Sequence, residues 1–431
     1  MAMDAASPES PDTPTAAASE PPTSVTPFAP GFLWGVATSG FQSEGHAPDS
    51  NWIRYIKQSG YEAYGDSIDF YDRYASDIAL ARAMGLNVFR ISIEWARVQP
   101  KAGEWDEAGF AFYDSLIDAI IAAGMRPMLT LDHWVYPGWK ADQGGWNDAG
   151  MVADWLTNAH KVVDRYAPRK PLWVTVNEPV AYIVHEEQQT GITGPVIEPL
   201  IAAVHNGVYD YIHQVQPDAL VTSNIGYVAG SETQVNGPMV DRIKDKLDYI
   251  GVDYYYGADD PDAPPPGNRQ IWELPLQPEG VYYALRHYAR QFPGKPLYVV
   301  ENGMPTDNGQ PRPDGYDRAG YLRDVVYWLQ RARMDGMNII GYNYWSLTDN
   351  YEWGSYTPRF GLHTVNVDSD PALTRIPTDA VDAYRAIVAA GGVAPDYLPT
   401  RPPVARSYVD PPSSYEEPVT LPTVSRRPAG K

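Results

Sequence analysis

Two glutamates end apolar runs in this 431-residue chain, and a pair of carboxyl groups is the minimum equipment for acid–base and nucleophilic work. Leu172-Trp173-Val174-Thr175-Val176-Asn177-Glu178-Pro179 and Leu297-Tyr298-Val299-Val300-Glu301-Asn302-Gly303 each read as a strand buried on both faces. Proline or glycine ends each run, so Asn177, Glu178 and Glu301 stand at strand C-termini. There, one carboxylic acid could protonate a leaving oxygen while a carboxylate attacks, or directs water at, an anomeric carbon. An Arg such as Arg90 and a hydroxyl such as Tyr255 beside one carboxylate would keep it ionised, and its field would hold the other protonated. The same pair could hold a metal ion. The residues around them are amide, aromatic and cationic, whereas Mg²⁺ and Ca²⁺ want more oxygen ligands, so neither a metal nor a cofactor is expected.

Positioning such groups needs strands that deliver them to one end. Phe32 to Val36 reads as a first strand, and Phe70 to Met84 has the apolar spacing of a helix face, closed by Gly85 before the strand Asn87 to Ile93. Helix, glycine, buried strand recurs at Tyr113 to Leu131, around Gly124, and at Val325 to Tyr342, around Gly336. Further strands are predicted at Leu172 to Val176, Leu220 to Asn224, Tyr249 to Asp253 and Leu297 to Val300, with helices near Leu200 to Val215, Val281 to Gln291 and Ala380 to Ala389. Eight strands alternating with about eight helices predict an α/β fold, a closed (β/α)8 TIM barrel of one domain. No glycine-rich phosphate loop follows the first strand, which disfavours an open nucleotide-binding sheet. The strand ends then bring together Gln42, Arg90, Glu94, Asp132, His133, Trp134, Asn177, Glu178, Asp253, Tyr255, Glu301 and Trp345. Unpaired buried charge is costly, so a barrel that gathers these has a site there.

Composition narrows the partners. Lys and Arg number 33 against 54 Asp and Glu, a net charge of −21, which opposes nucleic acid and anionic membrane surfaces. The 13 Trp and 31 Tyr include enough flat rings with polar edges to face a sugar. There is no cysteine, hence no disulfide frame or thiolate site. Residues 1–27 lack Lys, Arg and any apolar run and are proline-rich, and 399–431 are rich in Pro, Ser and charge. Both are predicted to be disordered tails around a barrel at 28–398, with no signal peptide and a cytoplasmic location.

The motifs together resemble the family 1 glycoside hydrolases, the β-glucosidase and β-galactosidase family. Thr175 to Pro179, Val300 to Gly303, Phe32 to Gly35 with Gln42 to Gly45, Ile91 to Trp95, and Trp345 to Trp353 carry the likeness, which runs from about Phe28 to Tyr397. The resemblance implies a retaining β-glycosidase with Glu178 as acid/base and Glu301 as nucleophile, supported by Arg90 and Tyr255. It implies that Gln42, His133, Trp134, Asn177, Glu352 and Trp353 grip the terminal sugar over a floor made by Trp345, and that Trp272 is an aglycone platform. The substrate would be a β-glycoside or short oligosaccharide ending in β-D-glucosyl, β-galactosyl or β-fucosyl. A transglycosylase and a sugar-binding homologue with little turnover are the alternatives. No Lys lies between Trp353 and Thr374, so an unphosphorylated sugar is expected. The chain also departs from the family. The stretch between the two glutamates is short, which would open the leaving-group side. Asp253 replaces the usual asparagine and would add a negative charge, Glu352 to Phe360 is a residue short, and Trp272 to Pro278 is slightly long.

Overall fold

The computed structural model describes residues 24–259, 267–401 and 409. Eight parallel strands form a closed barrel: β1 Leu33–Ala37, β2 Val88–Ser92, β3 Arg126–Asp132, β4 Leu172–Val176, β5 in two pieces at Val221–Thr222 and Ile225–Gly226, β6 Ile250–Tyr254, β7 Leu297–Asn302 and β8 Ile339–Trp345. Each strand pairs with its neighbours in sequence, and β1 pairs with β8 from Leu33↔Gly341 to Ala37↔Trp345. The first piece of β5 pairs with β4 and the second with β6, so the ring closes through a strand interrupted at Ser223 and Asn224.

Helices α1 Phe70–Ala83, α2 Glu107–Ala122, α3 Met151–Tyr166, α4 Gly194–Val215, α5 Gly237–Ile243, α6 Gly280–Gln291, α7 Arg318–Met334 and α8 Asp379–Ala390 follow the strands in turn. Sequence spacing explains them. In α2, Phe110, Tyr113, Leu116, Ile117 and Ile120 share the buried face, and the Asp106 carboxylate accepts from the Ala108 amide to cap it. After α2 and α7 the chain turns left-handed at Gly124 (φ 81°) and Gly336 (φ 93°), where a side chain would be strained. The helix–glycine–strand punctuation predicted from sequence is present.

Val88, Met128, Leu172, Val174, Tyr249, Tyr298 and Val300, with Leu33, Leu220 and Ile340 against them, form one apolar cluster drawn from every strand or its approach. This plug fills the barrel interior and leaves the strand C-termini as the end where polar groups can gather. At the chain's start, Val25 is buried and its amide donates to Pro395 O at 3.1 Å, so packed structure begins inside the predicted 1–27 tail. At the other end Thr400 N donates to Asp324 Oδ1 at 3.0 Å. Residues 1–23, 402–408 and 410–431 of the predicted tails lie outside the described residues. Among the described residues no helix is long and apolar enough to cross a membrane.

Candidate active site

The strand C-termini surround a cavity of about 230 Å³. Gln42 reaches it from the short helix Gly40–Ser43 after β1, His133 and Trp134 from the end of β3, Asn177 and Glu178 from β4, Glu301 from β7, and Trp345 from β8. Tyr255 follows β6, and Glu352 and Trp353 lie on the loop beyond β8. Arg90, within β2, lies beneath these groups and touches Glu301 and Asn177.

Glu301 is the more tightly held of the two glutamates. The Arg90 guanidinium, wholly buried, donates to its Oε1, and the Tyr255 hydroxyl donates to its Oε2 at 2.7 Å. Both interactions stabilise the carboxylate charge. Arg90 is itself fixed by Asn177 Oδ1 at 2.7 Å and by Thr130 Oγ1 at 2.9 Å, and Asn224 donates to the same Asn177 oxygen at 2.7 Å. The nucleophile candidate is thus aimed by Arg90 of β2 and Tyr255 just past β6, and Arg90 in turn by Thr130 of β3 and Asn177 just past β4.

Glu178 has a different setting. It holds a left-handed backbone (φ 39°) just before Pro179 starts the helix Pro179–Thr190, a strained arrangement of the kind that collects at working sites. Burial, then the charge of Glu301, push its carboxyl up to about 8 against the pull of Arg90. At neutral pH it is an acid with a proton to give. One oxygen each of Glu178, Glu301 and Asp253 lie within 4.8 Å of one another.

Asp253 adds a third carboxyl to this pair. It pairs with Glu301 in the β6–β7 register where the ladder shifts, and it is fully buried. Burial, with Glu301 and Glu178 close by, raises its carboxyl well above the usual range, which favours its uncharged form. Asn224 Nδ2 donates to its Oδ2, and its Oδ1 is buried without a partner.

The remaining lining residues form a hydrogen-bonded and aromatic wall. Gln42 Nε2 donates to Glu352 Oε2 at 3.2 Å, and Trp345 Nε1 donates to Glu352 Oε1 at 2.9 Å. Burial pushes the Glu352 carboxyl up to about 8, although the Trp345 hydrogen bond pulls it down. The His133 ring stacks between Trp345 and Trp353, 5.9 and 5.8 Å away, and burial with the Arg90 charge keeps it neutral. Trp134 stacks on Trp353 at 4.7 Å and donates to Asn177 O at 2.8 Å. Flat rings beside amides and carboxyls suit a sugar, with one apolar face and a rim of hydroxyls.

Not every strand-end residue takes part. The Asp132 carboxylate accepts from the Trp134 amide at 2.9 Å and Trp155 Nε1 at 2.7 Å, so it braces the loop and does not line the cavity. Glu94 accepts from Ser92 Oγ at 2.7 Å, away from the cavity. Trp272, in the turn Ile271–Glu273, is not among the cavity's lining residues; Ile271 is. Phe360 lines the cavity and packs against Tyr255, so the shortened loop still reaches it. Tyr256, Ile271, Asn224 and Thr130 are the residues that sequence reasoning did not single out. Only Asn224 and Tyr256 carried a signal, as polar residues at or just past a strand end. The three clustered carboxyls make a poor cation site, because the Arg90 guanidinium already occupies Glu301.

The profile of the family described as Glycosyl hydrolase family 1 matches residues 24–216 and 257–393. Beta-glucosidase A of Thermotoga maritima is 27% identical over 86% of this chain and 99% of its own length. The bifunctional beta-D-glucosidase/beta-D-fucosidase of Bifidobacterium breve is 28% identical over 84% of this chain and 98% of its own. A solved structure of the Thermotoga maritima beta-glucosidase in complex with deoxynojirimycin superposes with a TM-score of 0.75 at 25% identity, covering 86% of this chain and all of that one.

Proposed function

Because the chain belongs to glycosyl hydrolase family 1, we propose that it is a retaining β-glycosidase that removes terminal β-D-glucosyl, and β-galactosyl or β-fucosyl, residues by double displacement. The observation that carries the stereochemistry is the approach of the two glutamates. One oxygen of each lies within 4.8 Å of the other, which supports the close spacing of retaining enzymes over the wider gap, about 6.5–9.5 Å between carboxyls, in which inverting enzymes seat a water.

In the first step Glu301 attacks the anomeric carbon while Glu178 gives its proton to the glycosidic oxygen, and the carbon–oxygen bond to the leaving group breaks. A glycosyl ester on Glu301 forms and the aglycone departs as an alcohol. Glu178, now a carboxylate, takes a proton from water as that water attacks the same carbon. Glu301 leaves, the sugar departs with its original configuration, and Glu178 carries its proton again. Replacing that water by an alcohol gives transglycosylation with no other change. The names of the relatives, a glucosidase and a glucosidase/fucosidase, support the choice of sugar. Gln42, His133, Glu352 and Trp353 are positioned to hold the hydroxyls, and no lysine follows Trp353 on that loop to receive a phosphate.

A panel of nitrophenyl β-D-glucoside, galactoside, fucoside and 6-phosphoglucoside tests this reading. NMR of early product should show the β-anomer first, with the unphosphorylated glucoside cleaved at least a hundredfold better than its 6-phosphate. An α-anomer first would overturn retention. Release from none of them would leave a sugar-binding protein without turnover.

A further inference from the structure

Beyond Thr400 the chain meets the barrel again at Val409. The Val409 side chain packs partly buried against the core, and its carbonyl accepts from the Glu232 amide at 2.8 Å. Glu232 joins two walls. Its buried carboxylate accepts from the Val228 amide at 2.7 Å, from Asn236 Nδ2 at 2.9 Å and from the Tyr288 hydroxyl of α6. Asn236 Nδ2 also donates to Gly226 O at 2.8 Å, and a Cβ on Gly226 would lie 2.5 Å from Glu178 Oε1. Val409, Glu232, Asn236 and Gly226 therefore form a continuous line from the tail to Glu178.

Beside that anchor a groove of about 670 Å³ runs between α5 and the last turns of α6. Thr233, the residue after Glu232, lines it, so the groove begins where Val409 is held. Pro238 and Val240 give it an apolar floor, and Arg290 and Gln291 edge it. Arg290 is exposed and has no carboxylate partner among the described residues, whereas Asp241, also on the groove, pairs with Lys244 at 3.5 Å. The groove therefore presents an unneutralised cation. The sequence after Val409 answers it: Asp410-Pro411-Pro412-Ser413-Ser414-Tyr415-Glu416-Glu417 carries three carboxylates and no Lys or Arg. Its paired prolines favour an extended course of ~3.1 Å per residue, which puts Glu417 within roughly 25 Å of Val409. The seven residues of α5 span only about 10 Å, so this run is long enough to traverse the groove.

We propose that residues 410–417 of this same chain occupy the groove, with Tyr415 on Pro238 and Val240 and with Glu416 and Glu417 facing Arg290, as a strap that steadies the segment behind Glu178. Exposed ion pairs are individually weak, but the tether at Val409 compensates. A short link supplies a millimolar effective concentration, so contacts worth only a millimolar Kd keep the strap in place. Neither the tail nor residues 217–256, which supply the α5 wall, fall within the family profile. The strap and its seat are both additions of this chain, and the proposal stands apart from the glycosidase reading.

The chain has no cysteine, so paired cysteines in the full-length protein can report the strap without background. Gln291→Cys tests the groove, and Gln234→Cys is the control, exposed beside the anchor but outside the groove's lining. Each is paired with Pro418→Cys under oxidised glutathione. The strap should close the intramolecular disulfide at 291 at least fivefold faster than at 234, whereas a tail hanging from Val409 would favour the nearer thiol at 234. Adding Arg290→Glu should slow closure at 291 at least threefold, and Glu416→Lys with Glu417→Lys on top should restore it to within about twofold. Deuterium uptake by residues 232–243 should rise at least threefold in Arg290→Glu without any cysteine. Closure at 234 as fast as at 291 would overturn the proposal, and disulfide-linked dimers would give the groove to a second copy instead. A rate unmoved by Arg290→Glu would overturn the ion pairing, and unchanged deuterium uptake would overturn the bracing of the segment behind Glu178.

Discussion

Two buried clusters in this barrel each surround one arginine with carboxyl groups. In the first, Arg90 meets Glu301 beside Glu178 and Asp253. In the second, Arg97 donates to Glu44 Oε2 at 2.9 Å and to Gly45 O at 2.9 Å, and Tyr113 donates to Glu44 Oε1 at 2.9 Å, with Glu94 alongside. Burial and the nearby Glu44 push Glu94 up to about 8, the same value that burial and Glu301 give Glu178. The difference is space. The short helix Gly40–Ser43 seals the second cluster so tightly that a Cβ on Gly40 would sit 2.5 Å from Glu94 and 2.8 Å from Glu44, while the first opens onto a cavity. A perturbed acid therefore marks burial among charges, and only an adjoining void makes it a reagent.

The contrast can be broken most sharply at Glu301. Glu301→Gln should lower nitrophenyl glucoside turnover by roughly 10⁴-fold or more, since no nucleophile remains to form the ester; full activity in that variant would end the assignment. Glu178→Ala should cost about 10²–10⁴-fold with alkyl leaving groups and less with nitrophenyl ones, and added azide should restore turnover. An equal loss for both kinds of leaving group, unmoved by azide, would show that Glu178 is not the acid. Arg97→Met should do the opposite of both. It leaves Glu44 buried and unpaired, so urea unfolding should report a loss of about 3–5 kcal/mol, with kcat of the folded fraction within about threefold. A large fall in kcat at unchanged stability would place the second cluster in the chemistry.

The smallest effect concerns pH. Glu178 must be protonated to act as an acid, so turnover of an alkyl glucoside should hold below about pH 8 and fall as pH rises through it. Because the Asp253 carboxyl is raised well above its usual range, Asp253→Asn should leave that basic limb within about 0.3 unit. A marked downward move would mean that Asp253 carries charge after all.

Much of this was legible in the sequence. The strand-end positions of Glu178 and Glu301 followed from apolar runs closed by Pro179 and Gly303, and helix spacing with its glycine stops located the barrel units. What periodicity could not separate was Glu94 from Glu178: both end strands, and only packing against Gly40 or against a cavity distinguishes them. The raised carboxyl of Asp253 was hidden for a related reason, because it depends on burial and on two carboxyls that arrive from other strands. Trp272 was read by type and place, and the structure sets it beside Ile271, a cavity-lining residue with no motif to announce it. Val25 sat in a proline-rich stretch whose composition outweighed one buried side chain.

The interrupted strand β5 makes the barrel a hoop with a weak joint. Two register pairs bind it to β4 and two to β6, whereas β1 and β8 share five. Deuterium should therefore enter the amides of residues 221–226 before those of 172–176 or 250–254, because local opening starts where the fewest ladder bonds must break. The Glu178 amide donates to Asn224 O at 3.1 Å across this joint, and Asn224 also steadies Asn177. Opening of the hoop would then loosen Glu178 while Glu301, bound to Arg90 and Tyr255, stays in place. The half of the site that must release an alcohol and admit water is hung on the seam that opens most easily.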